Sequence, residues 1–206
     1  MISAQEALER LRQGNRRFAA DIKSGDTVIG AARRGDLVAG QEPFAVILGC
    51  SDSRAPVEIV FDQGLGDLFV IRVAGNIVGP SQIGSVEFAA TQFATRLVVV
   101  LGHSRCGAVT ATVEQLQRPT GDQPTGLRSI TDRIAPAIEP LLGAYQDRNT
   151  EDLMHKAIRA NVHASVGQLR DGSETLKRLI DSEGLRIVGA EYSLETGLVD
   201  FFDGAG

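Results

Sequence analysis

Three uninterrupted apolar runs dominate the first half of the chain. They are FAVILG at 44–49, LFVIRVAG at 68–75 and RLVVVLG at 96–102. A strand with one wet face alternates apolar and polar residues, whereas a continuous apolar run is typical of a parallel strand covered on both faces. We therefore predict three buried parallel strands.

The segments that separate and follow these runs have helical spacing. They are APVEIVFDQ at 55–63, SQIGSVEFAATQFA at 81–94 and CGAVTATVEQLQ at 106–117. Strands that alternate with helices predict a central, mostly parallel β-sheet flanked by helices, with right-handed crossovers. The expected fold class is α/β.

The N-terminal region has a different pattern. Ser3 and Glu6 fit a capping box, which predicts a helix start. A second short helix and a loop are expected before the first strand, because glycines and a proline interrupt the rest of this region. We divide the chain into an N-terminal helical arm at 1–43 and an α/β domain at 44–206.

The last third of the chain predicts two more helices and a hairpin. After a polar loop at 118–127, an isoleucine stripe indicates a helix that Pro136 and Pro140 should bend or shorten. A longer stripe follows, and its members are Met154, Ile158, Val162, Val166 and Leu169. LRIVGAEYS should form a late strand, which TGLVDFFD would pair with through a turn at Glu195–Gly197.

Composition limits the function classes. The chain has 206 residues and a formal net charge of −5, which argues against a nucleic-acid partner because phosphate binding needs a basic face. The first residues have no apolar core of a secretory signal, and no run reaches the ~20 apolar residues of a membrane span. We expect a soluble, cytoplasmic protein. In that compartment, a disulfide between Cys50 and Cys106 is the less favoured interpretation, and two inert core thiols are another.

Both cysteines lie in polar motifs at predicted strand ends. GCSDSR at 49–54 places Cys50 after the first strand, and GHSRCG at 102–107 places His103 after the third, with Cys106 at a helix start. If these strands are neighbours, the side chains meet in the crevice outside the carboxyl ends. Two thiolates and one imidazole suit tetrahedral Zn²⁺ and leave its fourth position open.

Asp52 and Arg54 have two possible arrangements beside such a metal. The carboxylate of Asp52 could take the fourth zinc position and close the site. Alternatively, Arg54 could clamp Asp52 through two parallel donors, which would keep the carboxylate ionised and leave the position to water. An ordinary surface ion pair is the competing interpretation.

The paired motifs CSDSR and GHSRCGA, with DQGLGDLFVIRVAGN between them, resemble the β-class carbonic anhydrases. The resemblance implies Zn²⁺ on Cys50, His103 and Cys106, with Asp52 and Arg54 as the neighbouring pair. It also implies reversible hydration of CO₂ to bicarbonate and a proton through a zinc-bound hydroxide. A dimer or tetramer is implied, with N-terminal helices that reach over the partner.

The resemblance further assigns a substrate pocket. Gln41 and the backbone N–H of Gly107 would hold bicarbonate oxygens, and Phe69 would line the pocket. Phe88 stands where the family commonly has a tyrosine, so a hydroxyl contact is lost. The chain has no tryptophan, and regulation through a tryptophan-containing bicarbonate pocket is therefore not expected.

Other functions compete with this one. The same scaffold could hydrolyse carbonyl sulfide or carbon disulfide, and Phe88 keeps that alternative open. A non-catalytic zinc-stabilised module would lack Arg54, and a Cys106–His103 thiol enzyme would leave Cys50 unexplained. His155 and His163 are candidate proton carriers, although ordinary surface histidines are the more frequent case.

Overall fold

A five-stranded sheet forms the centre of the computed structural model, which describes residues 2–22, 31–118, 124–143 and 151–205. The strands are β1 (Ala45–Gly49), β2 (Leu68–Arg72), β3 (Leu97–His103), β4 (Arg186–Tyr192) and β5 (Val199–Asp203). Their order across the sheet is β2-β1-β3-β4-β5. The first four strands are parallel, and β5 runs antiparallel to β4. The predicted α/β fold is confirmed.

Helices cover both faces of this sheet. They are α1 (Ala4–Ala19), α2 (Ala31–Asp36), α3 (Val57–Val60), α4 (Pro80–Gln92), α5 (Gly107–Gln117), α6 (Thr125–Leu142), α7 (Glu151–Asp171) and α8 (Glu174–Glu183). Among them, no helix is long and apolar enough to cross a bilayer in the part of the chain described above.

Burial explains the continuous apolar runs. Every residue of β1 and β3 is buried. Successive side chains point to opposite faces, so one set packs with α1 and α3 and the other with α4, α7 and α8. Both sets must be apolar, because neither face meets water.

The chain order around β1 positions the site. From β1 the chain passes to β2 on one side, and β3 then lies on the other side of β1. The carboxyl ends of β1 and β3 are therefore neighbours, at the point where strand order reverses. This is the crevice in which doubly wound sheets bind ligands.

Some predicted elements end elsewhere. The second apolar run leaves the sheet after Arg72 and turns through a 3₁₀ segment at Ala74–Asn76, where Gly75 has a φ of 69°. The segment at 55–63 contains only one helical turn. The helix with Pro136 and Pro140 is not shortened by them, since α6 extends beyond both. Both prolines are exposed, so carbonyls that lose a helical donor can bond to water.

Helix α8 has no counterpart among the elements predicted from the sequence. Ser173, the N-cap residue just before this helix, accepts a hydrogen bond from the Leu176 N–H at 3.0 Å, and Gly184 follows its last residue with a φ of 72°. Leu176 and Leu179 are buried. The serine before and the glycine after a leucine-bearing segment were a readable signal for this helix.

The N-terminal helix packs on the sheet of its own chain. The predicted capping box is present, because Ser3 accepts from the Glu6 N–H at 3.2 Å and its own N–H donates to the Glu6 carboxylate at 2.7 Å. Leu8 and Leu11 are fully buried in the cluster that contains Ile47. A domain boundary at residue 43 stays a prediction.

Candidate metal centre

Cys50, His103 and Cys106 form a compact buried cluster. Their ligand atoms all lie within 4.8 Å of one another, and the two sulfurs are 4.0 Å apart. The side chains come from separate parts of the sequence, and the exposed fraction of each residue is 6% or less. The predicted convergence of the two motifs is observed.

The strands bring these residues together with little freedom. Cys50 directly follows β1, and His103 is the last residue of β3. The residue before the imidazole is Gly102, where a β-carbon would lie 2.6 Å from the Val162 side chain of α7. A side chain there would push α7 away from the strand that carries His103.

The imidazole of His103 is oriented by its own loop. Its Nδ1 lies 2.9 Å from the carbonyl oxygen of Ser104. A carbonyl oxygen only accepts, so Nδ1 carries the proton and Nε2 keeps its lone pair. Within the described ranges, His103 Nε2 is one of two buried side-chain nitrogen or oxygen atoms without a hydrogen-bond partner, the other being Asn76 Nδ2. A buried lone pair without a donor is the arrangement that a metal ligand requires.

The two sulfurs differ in acidity. The hydrogen bond from the Cys106 thiol lowers the pKa of Cys50 to about 4, although burial opposes this shift. The backbone N–H groups of Asp52 and Gly75 also favour the thiolate, at 3.4 and 3.3 Å from the Cys50 sulfur. The pKa of Cys106 is raised, because its proton is held by Cys50 and because burial disfavours a second negative charge.

These observations test the cluster against Zn²⁺, and it fits. Without a cation, two buried thiolates repel each other, and a divalent ion between them removes the repulsion. Two sulfurs and an unpaired imidazole nitrogen form a borderline-soft ligand set that prefers zinc. Three ligands from the chain leave a fourth position free.

Asp52 and Arg54 form a forked ion pair beside the cluster. Arg54 Nε lies 2.9 Å from one carboxylate oxygen and Nη2 lies 2.7 Å from the other, while the Arg54 N–H adds a bond of 2.9 Å. These bonds, led by the side chain of Arg54, hold the pKa of Asp52 well below its usual range. Asp52 Oδ2 is 3.8 Å from His103 Nε2, so the carboxylate faces the cluster.

Arg72 holds the loop that carries this ion pair, a role that the pattern analysis missed. Its guanidinium donates to the carbonyl oxygens of Cys50 at 3.0 Å and Asp52 at 2.6 Å. The available signal was a charged residue inside the otherwise apolar run LFVIRVAG. Arg72 is exposed at the end of β2, and its guanidinium has enough donors to hold two carbonyl groups of the loop at once.

The predicted pocket residues Gln41, Phe69 and Phe88 lie away from this cluster in the same chain. Phe69 is paired with Val46, four residues before Cys50 and therefore ~13 Å along β1 at ~3.3 Å per residue. The three residues instead gather around Phe93. Its ring centroid is 6.0 Å from that of Phe69 and 5.6 Å from that of Phe88, and it lines a surface depression with Gln41.

The remaining predicted residues are placed as follows. Gly107 begins α5 next to the cluster, where backbone N–H groups have no helical partner. His155 Nε2 is 3.1 Å from the Glu191 carboxylate, and His163 Nδ1 is 2.8 Å from that of Asp203. Proton transfer by either histidine stays a prediction.

Comparison with known proteins gives one consistent family. A profile described as carbonic anhydrase matches residues 45–199. Carbonic anhydrase 2 of Mycobacterium tuberculosis is 39% identical over 192 residues, which cover 93% of this chain and 89% of that protein. The carbonic anhydrase of Mycolicibacterium smegmatis is 39% identical over 195 residues, which cover 94% of this chain and 91% of that protein.

Solved structures agree at the level of the fold. A tetrameric β-carbonic anhydrase of the ascomycete Sordaria macrospora superposes with a TM-score of 0.73 at 24% identity, and the match covers 82% of this chain and 85% of that one. At this identity the likeness concerns the arrangement of strands and helices.

Proposed function

The chain belongs to the β-class carbonic anhydrases, zinc lyases that hydrate CO₂ reversibly to bicarbonate and a proton, and we propose which of its residues carry that reaction. Cys50, His103 and Cys106 are the zinc ligands. The observation that carries this assignment is the compact buried cluster in which His103 Nε2 has no hydrogen-bond partner among the residues that the structure describes.

A bound Zn²⁺ supplies the chemistry long known for carbonic anhydrases, in which the metal lowers the pKa of water so that hydroxide is available as nucleophile. The protein must hold that nucleophile in one orientation and keep competing donors away from it. Burial of all three ligands serves the second requirement.

Asp52 orients the nucleophile. Arg54 keeps its carboxylate ionised, and an ionised carboxylate only accepts hydrogen bonds. It therefore accepts a hydrogen bond from the attacking hydroxyl group and so directs an oxygen lone pair towards the CO₂ carbon, a positioning effect that strongly accelerates reactions. Both oxygens of Asp52 already bond to Arg54, which supports this role over Asp52 as a fourth zinc ligand.

The oxygens of bicarbonate need donors. The N–H of Gly107 points from the start of α5, where helix geometry and dipole favour an anionic oxygen. Gln41 supplies a second donor in this proposal, and Phe69 and Phe88 supply apolar walls for CO₂.

A second copy of the chain has to provide Gln41, Phe69 and Phe88. All three lie at one surface around Phe93, too far along the sheet to line the metal cluster of their own chain. Phe88 is 51% exposed, which is unusual for a phenylalanine and indicates a covered surface in the assembly. We therefore propose at least a dimer, and a tetramer is the larger alternative.

Two unpaired cysteines support a cytoplasmic location. Both are buried and close enough to interact, so in an oxidising compartment the two thiols could be oxidised to a disulfide and would no longer serve as zinc ligands.

Metal analysis with stopped-flow CO₂ hydration tests the proposed function. We expect one zinc per chain, and hydration that stops when a chelator removes the metal and returns when zinc is restored. Carbonyl sulfide is the comparison substrate. Faster turnover of carbonyl sulfide than of CO₂, or zinc without hydration, would contradict the proposal.

Sedimentation tests the assembly. Phe88→Glu should shift the protein towards a monomer and reduce CO₂ hydration together, because a charge enters the aromatic cluster. Leu198→Glu is the matched control, since Leu198 is 50% exposed but lies outside that cluster. A monomeric wild-type protein with full activity would refute the shared site.

A further inference from the structure

The loop between the imidazole and the second thiol has an uncommon path. Ser104 and Arg105 form it, and Arg105 has a φ of 56°, in the left-handed region that residues with a side chain seldom adopt. Such a conformation persists when neighbouring contacts hold it. The loop joins the end of β3 to the start of α5, so its path sets the positions of both His103 and Cys106.

Glu195, in the turn between β4 and β5, contacts both residues of this loop. One carboxylate oxygen accepts from the Ser104 hydroxyl at 2.7 Å, and the other accepts from Arg105 Nε at 2.6 Å. The Ser104 hydroxyl also accepts from the Leu194 N–H at 2.9 Å, and the Ser104 N–H donates to the Tyr192 carbonyl at 2.9 Å. Four hydrogen bonds thus tie the loop to the β4–β5 hairpin.

The carbonyl groups of the same two residues face the metal centre. The Ser104 carbonyl accepts from His103 Nδ1 at 2.9 Å. The Arg105 carbonyl accepts from Arg54 Nη2 at 3.2 Å, and that guanidinium holds Asp52. One outer carboxylate therefore supports the imidazole and the Asp52–Arg54 pair, in each case through the loop backbone.

We propose that Glu195 is a positioning residue of the metal centre, which sets the orientation of His103 and of Arg54 by holding the Ser104–Arg105 loop. The inference rests on the zinc ligands proposed above, but not on the substrate. The bonds from Arg105, and then from Ser104, lower the pKa of Glu195 to about 2, so its carboxylate is charged at every practical assay pH.

An ordinary surface ion pair is the competing explanation. The side chains of Glu195 and Arg105 are 44% and 68% exposed, and exposed ion pairs contribute little to stability. That explanation predicts no effect on metal affinity. The decisive measurement is therefore zinc binding rather than thermal stability.

The experiment compares Glu195→Ala and Glu195→Gln with the control Glu183→Gln. Glu183 is likewise a carboxylate that accepts from two side chains, with bonds of 2.6 Å from Arg96 and 2.6 Å from Arg178, but it lies before the start of β4, at the opposite end of the sheet from the cluster. Zinc affinity is measured by competition with a chromophoric chelator. We expect about tenfold weaker binding in Glu195→Ala, about threefold in Glu195→Gln and no change in the control, since outer partners of metal ligands typically contribute at least this much.

The visible spectrum of the Co²⁺-loaded protein is a second measurement. It should not change if Glu195 forms only an ordinary surface ion pair. We expect the visible bands of Co²⁺ to shift in Glu195→Ala and to stay unchanged in Glu183→Gln. Ser104→Ala combined with Glu195→Gln should weaken zinc binding by less than the product of the single effects, because both act through one contact.

Two results in both Glu195 variants would together overturn the inference. They are a zinc affinity within twofold of the wild-type value and Co²⁺ bands at the wild-type positions within error. If Glu195→Ala does not fold, Glu195→Gln decides the question alone. A wild-type protein that binds zinc but does not hydrate CO₂ would contradict the proposed function and would leave this comparison of affinities intact.

Discussion

The two halves of the metal centre are supported in different ways. After β1, Asp52 and Arg54 lie within four residues of the ligand Cys50, and outside support comes from Arg72 at the end of the adjacent strand and from the Arg105 carbonyl, which accepts from Arg54. After β3, the ligand loop depends on Glu195, which is 91 residues away from Ser104 in sequence. The first half therefore carries its chemistry in one short motif, whereas the second depends on a distant hairpin.

This difference shows that the residues that act on the metal or substrate and the residues that hold them in place are encoded differently in the sequence. A short motif records which side chains act, because they must be close to the same ion. It does not record what holds the motif in place, because backbone carbonyls and hydroxyls accept partners from any part of the chain.

The largest expected effect is the loss of zinc on removal of a thiol, and it should be the same in both halves of the metal centre. Cys50→Ser and Cys106→Ser should each lower zinc affinity by more than ~100-fold, because a hydroxyl is a poor zinc ligand and no other thiol can replace it. Metal content after dialysis checks this. Full zinc occupancy in either variant would mean that the ligand set is misassigned.

A smaller effect, confined to the first half, is expected from Asp52→Asn. Zinc should stay bound, and kcat should fall about 10²-fold or more, because an amide can donate as well as accept and so loses control of the nucleophile. Stopped-flow hydration with parallel metal analysis measures both quantities.

Asp203→Asn is the matched control for that substitution. Asp203 has a side-chain exposure of 13% against 17% for Asp52 and pairs with His163 and Arg170, away from the cluster. Its activity should stay within about twofold of wild type, as is usual for substitutions outside the site. Equal losses in the two variants would show that Asp52 acts through stability.

The smallest expected effect concerns the support of the first half. Arg72→Gln removes the fork on the carbonyls of Cys50 and Asp52, and we expect zinc affinity to fall about threefold and kcat up to about tenfold. Glu195 supports the ligand His103, whereas Arg72 mainly supports Asp52. Arg72→Gln should therefore lower kcat more than zinc affinity, and the Glu195 variants should lower zinc affinity more than kcat. The opposite pattern would remove the distinction between the halves.

The meeting of Cys50, His103 and Cys106 could be predicted from the sequence for a definite reason. Continuous apolar runs identify buried parallel strands, and such strands deliver the residues after them to one edge, so Cys50 and His103 were placed correctly. Arg72 left a weak trace as the charged residue inside the run LFVIRVAG, but its carbonyl partners could not be predicted from the sequence. The contacts of Glu195 with Ser104 and Arg105 left no trace, because they join distant parts of the chain. Ser173 did leave a readable trace, as the cap of α8, and was overlooked.

The pocket residues show a further limit. Gln41, Phe69 and Phe88 were assigned by resemblance to a family, which transfers a role without saying which chain performs it. Only the strand register shows that Phe69 lies near the start of β2, away from Cys50. The resemblance already implied a dimer or tetramer, and the three-dimensional placement supports the proposal that the second copy supplies these three residues.

The spacing of the ligands has a consequence for folding. The sulfurs that would share one ion are 56 positions apart along the chain, so metal capture closes a long loop that includes β2 and β3. Each tenfold rise in free zinc above the dissociation constant should then raise the melting temperature by a constant increment, and a chelator should loosen the whole sheet. The ion would serve as a reversible cross-link as well as a reagent.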